Sequence, residues 1–297
     1  LRMGATLLEG KKASRKVEHE VSIEVEDLKQ MGKTPHLKVI LVGDNPASQI
    51  YVANKEKACR RVGIESATIR LPGSTTQSQL LSLIDDLNRD SATDGILVQL
   101  PLPPQISAEA VLSRIDPRKD VDGFTPENMG RLTLGYPFTV PCTPAGILEL
   151  LSYYAIDPEG MNVVIVGRSN IVGKPLAVLL MQKARGRNCT VTVCHSATRD
   201  ISLYTRSADM VVVAIGKPGF LQPDMVREGS IIIDVGVNRV TDQSHPKGYR
   251  IVGDANFEEL KSVVSFITPV PGGVGPLTVA MLLRNTVKVA RHGISAK

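Results

Sequence analysis

The most constraining stretch of this chain is VVIVGRSNIVGKP, an apolar run that ends in a glycine turn. Four apolar β-branched residues, Val163–Val166, precede Gly167, and Gly173 follows where helical spacing begins. This order predicts a buried parallel strand, a tight turn and a helix N-terminus, which together receive a nucleotide phosphate on free backbone N–H groups. Ser169 stands where the second glycine of G-x-G-x-x-G would be. Because many strand–turn–helix units bind nothing, this segment alone leaves nucleotide binding open.

Strands and helices alternate along the chain, which predicts a mostly parallel sheet covered by helices on both faces. The polar stretch Asp116–Thr139 is expected to be a long functional loop. The predicted strands are His36–Val42, Ser66–Leu71, Gly95–Leu100, Val163–Val166, Thr190–Cys194, Met210–Ala214 and Ile231–Val235. The predicted helices are Ala47–Val62, Thr76–Arg89, Pro144–Tyr154 and Leu277–Arg291, with others between the first three strands of the second half.

The length of 297 residues fits two domains. We predict an α/β fold in which residues 141–270 form a Rossmann-type nucleotide-binding domain. Residues 1–140 are expected to form an α/β domain that is completed by the C-terminal segment 271–297. Since ligands favour clefts between domains, we expect the active site there.

Composition excludes several classes of function. The net charge is only +5 and the chain has no Trp, so neither a nucleic-acid interface nor its stacking surface is expected. No apolar run approaches the roughly 20 residues that cross a bilayer, and no signal or transit pattern precedes Lys16. The four cysteines are scattered without a C-x-x-C pair, which predicts free thiols in the cytoplasm and no metal site.

The chain lacks the acidic residue that holds the ribose of NAD about 20 residues beyond the glycine turn. The second strand of that half ends instead at Cys194, followed by His195 and Ser196. Ser196 is suited to donate to a 2′-phosphate, and Arg168 in the turn to grip one. Lys174 and Arg199 are further candidates. The pattern favours NADP over NAD, although Arg168 and Lys174 also fit plain solvated surface residues.

Four residues of the first half are candidates for chemistry. Tyr51 and Lys55 are four positions apart in a predicted helix and therefore project from one face. Gln99 lies at the carboxyl end of a predicted parallel strand, where ligands bind. Asp122 occupies a Val-Asp-Gly-Phe turn. Each also has a simpler interpretation, namely the rim of an amphipathic helix for Lys55 and a turn-forming Asx residue for Asp122.

Together these motifs closely resemble one family, the bifunctional methylenetetrahydrofolate dehydrogenase/cyclohydrolases, from about Leu8 to Ala290. The resemblance rests on ASQIYVANK, VQLPLP, KDVDG, the Gly-Arg-Ser turn and TPVPGGVGPLT, which occur along the chain. Leu277 departs from many members, which have Met there. The Cys-His-Ser run that ends at Ser196 is similar to the NADP-using members, whereas NAD-using mitochondrial relatives have Arg at that position.

The resemblance implies that one folate-binding catalytic domain and one NADP-binding domain carry out two reactions. The methylene carbon of 5,10-methylenetetrahydrofolate gives a hydride to NADP, and water then opens the methenyl ring to 10-formyltetrahydrofolate. Lys55 is implied as the catalytic residue, oriented by Gln99, with Tyr51 against the aromatic middle of the folate and Asp122 on the pterin. Further substrate-binding residues are Pro271, Gly272, Gly273 and Thr278. The implied cofactor-binding residues are Gly167, Arg168, Ser169, Gly173, Ser196, Ile215, Gly216 and Val237.

Two other functions stay open at this point. One is an NADP-dependent two-domain oxidoreductase of another small substrate, similar to shikimate dehydrogenase, and the other is a folate- or nucleotide-binding protein without turnover. The resemblance also implies a homodimer formed through the nucleotide domain. A polyglutamate tail on the folate would suit Lys11, Lys12 or Arg15, which equally fit a charged helix surface.

Overall fold

The computed structural model describes residues 4–246 and 248–295. Among these residues, no helix is both long and apolar enough to pass through a membrane. The strands are β1 (Thr6–Leu7), β2 (His36–Val42), β3 (Glu65–Leu71), β4 (Gly95–Val98), β5 (Asn162–Val166), β6 (Thr190–Cys194), β7 (Met210–Val213), β8 (Ile231–Asp234), β9 (Asn238–Thr241), β10 (Tyr249–Val252) and β11 (Phe266–Ile267). The helices are α1 (Gly10–Gln30), α2 (Pro46–Val62), α3 (Gln77–Arg89), α4 (Ala108–Arg114), α5 (Pro126–Leu134), α6 (Cys142–Tyr153), α7 (Gly173–Met181), α8 (Ser202–Thr205), α9 (Phe257–Leu260) and α10 (Val274–Ser295), with a 3₁₀ turn at Pro223–Met225.

The chain forms two compact units. The six-stranded unit comprises Leu1–Ser14 and Thr143–Thr278, and the three-stranded unit comprises Arg15–Cys142 and Val279–Lys297. The N-terminal segment therefore differs from the expected division, which assigned all of 1–140 to one domain. The reason is that β1 pairs in parallel with β11 of the six-stranded unit, through Thr6 opposite Phe266 and Leu7 opposite Ile267.

The three-stranded unit is built on a parallel sheet in the order β3-β2-β4. One face of α3 covers it with Leu80, Ile84 and Leu87, all buried, as the helical spacing predicts. Thr76 Oγ1 caps this helix by accepting from Gln79 N at 3.3 Å, and Thr76 N donates to Gln79 Oε1 at 2.9 Å, which completes a capping box. The central strand β2 is confirmed with its predicted bounds of His36–Val42.

The expected long loop at Asp116–Thr139 is wrong, because α5 forms inside it. Thr125 caps the helix by accepting from the backbone N–H of Asn128 at 3.3 Å, and Pro126 occupies the first turn. Gly135 ends the helix in the left-handed conformation with φ +89°. Leu132 packs into the interior, so capping rather than an apolar stripe gives the sequence signal for this helix.

The six-stranded unit contains a parallel sheet in the order β1-β11-β8-β7-β5-β6. Strand β5 lies between β6 and β7, so the connections leave it in opposite directions along the sheet, which defines a topological switch point. The antiparallel hairpin of β9 and β10 stands apart from this sheet. The sequence did not predict the hairpin, the two-residue strands, α1, α4 or α9. The predicted strands of this half are present with shifts of a residue at their ends.

Candidate active site

Lys55 and Gln99 form a direct contact in the three-stranded unit. The ammonium Nζ of Lys55 on α2 donates to Gln99 Oε1 at 3.0 Å. Gln99 Nε2 donates in turn to the carbonyl of Leu100 at 2.7 Å, which fixes the orientation of the carboxamide. Gln99 follows β4 and is buried, with 9% of its surface exposed. The lysine therefore has a rigid acceptor at the carboxyl end of the sheet.

Helix α2 presents Tyr51 one turn before Lys55 on the same face. The helix starts at Pro46, after Asn45 accepts from the backbone N–H groups of Ala47 and Ser48 at 3.0 and 3.1 Å. Tyr51 keeps 46% of its surface exposed. An aromatic ring is thus available to a ligand beside the amine.

The loop that carries Asp122 is organised by the neighbouring Asp120. Asp120 is buried, and its two carboxylate oxygens accept from Gly123 N and Thr125 N at 2.8 Å each. A third donor, Asn128 Nδ2, lies 2.9 Å away. Because its charge is satisfied by these donors, Asp120 serves the loop and leaves Asp122 as the carboxylate with room for a ligand.

Asp122 lies in a poorly hydrated position. Loss of hydration raises the pKa of its carboxyl to about 6, which the positive charge of Lys55 opposes and the negative charge of Asp120 reinforces. The thiol of Cys142 lies 3.9 Å from Asp122 Oδ1. Burial raises the pKa of this thiol well above its ordinary value, so it stays neutral.

Asn285 of α10 supports the same loop and was missed by sequence reasoning. Its Nδ2 donates to the carbonyls of Val121 and Val140 at 2.8 and 2.9 Å, and lies 3.7 Å from the Sγ of Cys142. Asn285 is far from these residues in the chain, and a lone Asn in a helical pattern gives no signal. Only the folded chain brings it to the loop of Asp122.

The predicted substrate residues 271–278 fall within the six-stranded unit. The carbonyl of Gly272 accepts from Gly10 N at 2.9 Å, and Gly273 N donates to Pro269 O at 2.8 Å. A Cβ on Gly273 would lie 2.7 Å from the same carbonyl, so only glycine fits there. Beyond it, Thr278 Oγ1 pairs with Thr143 Oγ1 at 3.0 Å. Pro271 lies at the start of this tightly held turn.

The turn after β5 leaves no room for a side chain at Gly167 or Gly173. Gly167 has φ +133°, and a Cβ there would lie 2.4 Å from the carbonyl oxygen of Ala214. A Cβ on Gly173 would lie 2.2 Å from the carbonyl oxygen of Gly167. Both glycines therefore permit a close backbone approach at the switch point between β5 and β7, where dinucleotides bind in doubly wound sheets.

The first amides of α7 are not free, in contrast to the expectation. Ser169 Oγ accepts from the backbone N–H groups of Val172 and Gly173 at 3.1 and 3.4 Å. Lys174 Nζ donates to Asn170 Oδ1 at 2.7 Å. Arg168 and Ser169 are exposed. The serine hydroxyl thus holds the turn that leads into α7, whose N-cap residue is Val172. Arg168 offers the charge in the turn.

Ser196 is exposed just after β6. A depression of about 520 Å³ lies beside it, with Cys194, His195, Arg199 and Tyr204 among its lining residues. This places a guanidinium and a hydroxyl at the carboxyl end of the second strand of the half, where a dinucleotide ribose lies in such folds.

Ile215 and Gly216 are held by a residue that sequence reasoning did not select. Asp254 Oδ2 accepts from their backbone N–H groups at 2.7 and 2.9 Å. Val237 is 55% exposed on the neighbouring loop. The sequence signals that could have indicated Asp254 are the Asp-x-Gly run at 234–236 and the Gly-Asp pair at 253–254. In each of them a glycine lies close to an acidic residue.

The glycine turn at a switch point and the separate lysine–glutamine pair define a two-domain α/β enzyme with a dinucleotide-type sheet. Comparison with known proteins gives the family. Residues 8–122 match the tetrahydrofolate dehydrogenase/cyclohydrolase catalytic domain, and residues 141–293 match the NAD(P)-binding domain of the same family. The chain belongs to the tetrahydrofolate dehydrogenase/cyclohydrolase family.

Relatives match over nearly the full length. The bifunctional protein FolD of Chlorobium chlorochromatii is 53% identical over 285 residues, covering 95% of this chain and 97% of its own. The crystal structure of the bifunctional FolD enzyme from Campylobacter jejuni is 51% identical, with a TM-score of 0.91 over 97% of this chain and 99% of its own. The Trypanosoma brucei enzyme, complexed with NADP cofactor and inhibitor, is 39% identical, with a TM-score of 0.92 over 98% and 99%.

Proposed function

We propose that this protein oxidises 5,10-methylenetetrahydrofolate to 5,10-methenyltetrahydrofolate with NADP and then hydrolyses the product to 10-formyltetrahydrofolate. The observation that carries the proposal is the 3.0 Å contact between Lys55 Nζ and Gln99 Oε1, within a chain of this family. A buried Gln99 carboxamide that orients the Lys55 amine favours catalysis over binding without turnover. The full-length match to bifunctional relatives disfavours an oxidoreductase of the shikimate type.

For the first reaction, bound NADP supplies a hydride acceptor at its nicotinamide ring. The residues present fit this molecule, because Gly167 and Gly173 let the turn after β5 pack against the carbonyls of Ala214 and Gly167, which a Cβ would prevent. That turn lies at the switch point of the sheet, where dinucleotides bind. Arg168 is exposed in the turn and Ser196 is exposed after β6. No carboxylate follows β6 at this point of the sequence. These features support NADP, whose 2′-phosphate would meet donors rather than repulsion.

For the second reaction, Lys55 is the residue that accepts a proton from the attacking water. Water adds to the methenyl carbon, the bond from that carbon to N5 breaks, and one proton leaves overall. The amine of Lys55 accepts this proton as the general base of the step. Gln99 keeps the amine in place through Oε1, since its own Nε2 is engaged by Leu100.

The folate itself is proposed to bind through three groups. Asp122 accepts from the amino and ring N–H donors of the pterin, and Tyr51 packs on the aromatic middle of the molecule. The segment of Pro271, Gly272, Gly273 and Thr278 is proposed to wall the pocket. Lys11, Lys12 and Arg15 are candidates for attracting a polyglutamate tail.

We also propose a cytoplasmic homodimer that binds neither nucleic acid nor membranes. All four cysteines lie in the described part of the chain and are free and buried, which supports a reducing compartment. Strand β6 ends the order of the six-stranded sheet, and Leu203 nearby is 68% exposed. Because an edge strand offers its backbone groups for pairing, this position supports association between nucleotide-binding units. Light scattering of the purified protein tests this, and a monomeric mass contradicts it.

The deciding experiment mixes the purified protein with 5,10-methylenetetrahydrofolate and either NADP or NAD. Reduced nicotinamide, methenyl-folate and formyl-folate are followed separately. We expect NADPH to form with little methenyl-folate left over. Persistent methenyl-folate would contradict the hydrolase activity and the role of Lys55. Absence of reduction with either nucleotide would overturn the whole proposal.

A further inference from the structure

Two buried carboxylates, those of Asp254 and Asp234, accept hydrogen bonds from the loops that follow β7 and β8. Asp254 has no exposed surface, and its Oδ2 accepts from Ile215 N at 2.7 Å and Gly216 N at 2.9 Å. Its other oxygen, Oδ1, accepts from Asn238 Nδ2 at 2.8 Å. One side chain therefore joins the loop after β7 to the start of β9.

Asp234, the last residue of β8, holds Asp254 in turn. Its Oδ1 accepts from Gly236 N and Asp254 N at 2.9 Å each, and its Oδ2 accepts from Ala255 N at 2.8 Å. Asp234 is 2% exposed. Each buried oxygen is thus paired with donors, as the cost of burying a carboxylate requires.

The packing around the two carboxylates leaves no room for a Cβ at two neighbouring glycines. A Cβ on Gly236 would lie 2.3 Å from the carboxylate of Asp254, and a Cβ on Gly253 would lie 1.8 Å from Asp234 Oδ2. Small residues alone permit this approach. The arrangement is specific, because a chain that needed only a stable core would fill the space with apolar side chains.

We propose that Asp254, supported by Asp234, is a positioning residue for NADP. Its carboxylate accepts hydrogen bonds from the amides of Ile215 and Gly216 and so fixes the loop that follows β7. Through Asn238 it also connects this loop to the one that carries Val237. The dinucleotide is then met by a preformed surface of backbone and apolar atoms, with no free N–H groups at this point. The inference rests on the proposed role of these loops in NADP binding.

The mechanism is preorganisation. An unanchored loop would have to be ordered when the cofactor binds, which weakens affinity without removing any contact to the ligand. Removing the carboxylate also leaves buried N–H groups without an acceptor. Asp254 touches neither ligand nor reacting atoms in this proposal, so its loss is expected in the affinity for NADP and not in the chemistry of hydrolysis.

The test is titration calorimetry of NADP against the full-length protein and its variants. For Asp254→Ala we expect an affinity loss of about tenfold or more. For Asp254→Asn we expect affinity close to the unsubstituted protein, because the carboxamide oxygen still accepts from both amides and Asn238 can rotate its own carboxamide. The matched control is Asp224→Ala, an exposed carboxylate of the same unit, which should bind NADP normally.

Hydrolysis of methenyltetrahydrofolate needs no dinucleotide and reports whether each variant is folded. Normal NADP affinity in a folded Asp254→Ala variant overturns the inference, and so does failure of Asp254→Asn to restore affinity. If Asp254→Ala does not fold, Asn238→Ala decides, because it removes one bond to Asp254; a loss of about threefold supports the inference and an unchanged affinity overturns it. If the unsubstituted protein does not bind NADP, it is the proposed function that fails.

Discussion

At the scale of single residues, Lys55 is the side chain on which hydrolysis depends. Lys55→Met keeps most of the volume of the side chain and removes the amine, so we expect the rate of methenyltetrahydrofolate hydrolysis to fall about 10²-fold or more. The matched control is Lys57→Met, which removes an exposed ammonium two positions along α2. Hydrolysis is followed by the loss of methenyl absorbance, and substantial turnover by Lys55→Met would refute the assignment.

Asp122 gives a second prediction, on pH. Its carboxyl has a pKa of about 6 because it is poorly hydrated, so it is ionised above that pH and protonated below it. Only the ionised form accepts from two N–H donors. We therefore expect the affinity for tetrahydrofolate to weaken as the pH falls through 6, by about tenfold near pH 5.

Calorimetric titration of tetrahydrofolate between pH 5 and 8 measures this dependence without turnover. Asp122→Asn should bind more weakly at pH 8 and lose the dependence around pH 6. If the dependence persists in Asp122→Asn, another group is responsible for it. Burial also raises the pKa of Asp234 to about 6, but this residue lies in the six-stranded unit. The pH dependence of tetrahydrofolate affinity is therefore also measured in Asp234→Asn, which should keep it.

At the scale of elements, the turn between β5 and α7 is the most sensitive to added volume. In Gly173→Ala the new methyl would lie 2.2 Å from the carbonyl oxygen of Gly167, so the turn must open. We expect a loss of unfolding free energy of about 1–3 kcal/mol and a larger loss of NADP affinity. Urea unfolding and NADP titration measure the two effects.

Gly130→Ala is the control for Gly173→Ala. It lies inside α5 with no atom within 4 Å of the added methyl, so it should stabilise the protein by roughly 0.5–1 kcal/mol. Equal NADP affinity for both variants would show that the turn does not shape the cofactor site.

The elements also show what a sequence can predict. The bounds of β2 follow from an apolar run between turn residues, because a buried parallel strand needs little else. The bounds of β6 follow from the β-branched residues of TVTVC, which form an edge strand that is only partly buried. Helix α5 escapes detection since its one buried apolar side chain, Leu132, makes no stripe. Its caps at Thr125 and Gly135 were readable and outweigh the polar composition. Two-residue strands such as β1 exist only through a partner that is remote in the chain.

The candidate site divides in the same way. Lys55, Gln99 and Asp122 belong to short motifs and were predicted, and the first two are in contact. The residues that hold them are not in motifs. Asn285 and Asp254 reach the loops they support from distant parts of the chain, and nothing local marks a buried amide or carboxylate as a support. Such positions follow only from the tertiary structure.

At the scale of the whole molecule, the division of the chain bears on how it unfolds. The boundaries Ser14/Arg15 and Thr278/Val279 fall inside α1 and α10. Each of these two continuous helices therefore has its first turn or turns in the six-stranded unit and the rest in the three-stranded unit. Unfolding of one unit would remove hydrogen-bonded turns from both helices. Since short helices without their packing are unstable in water, we expect one cooperative transition in place of two.

Scanning calorimetry with NADP tests this expectation. At a hundredfold excess over its dissociation constant, a ligand of the native state adds about 2.7 kcal/mol to the unfolding free energy. If the units are coupled, the single transition shifts upward by several degrees as a whole. If they unfold independently, two transitions separate and only that of the six-stranded unit moves. In that case tetrahydrofolate, bound through Asp122 and Tyr51, would move the other one.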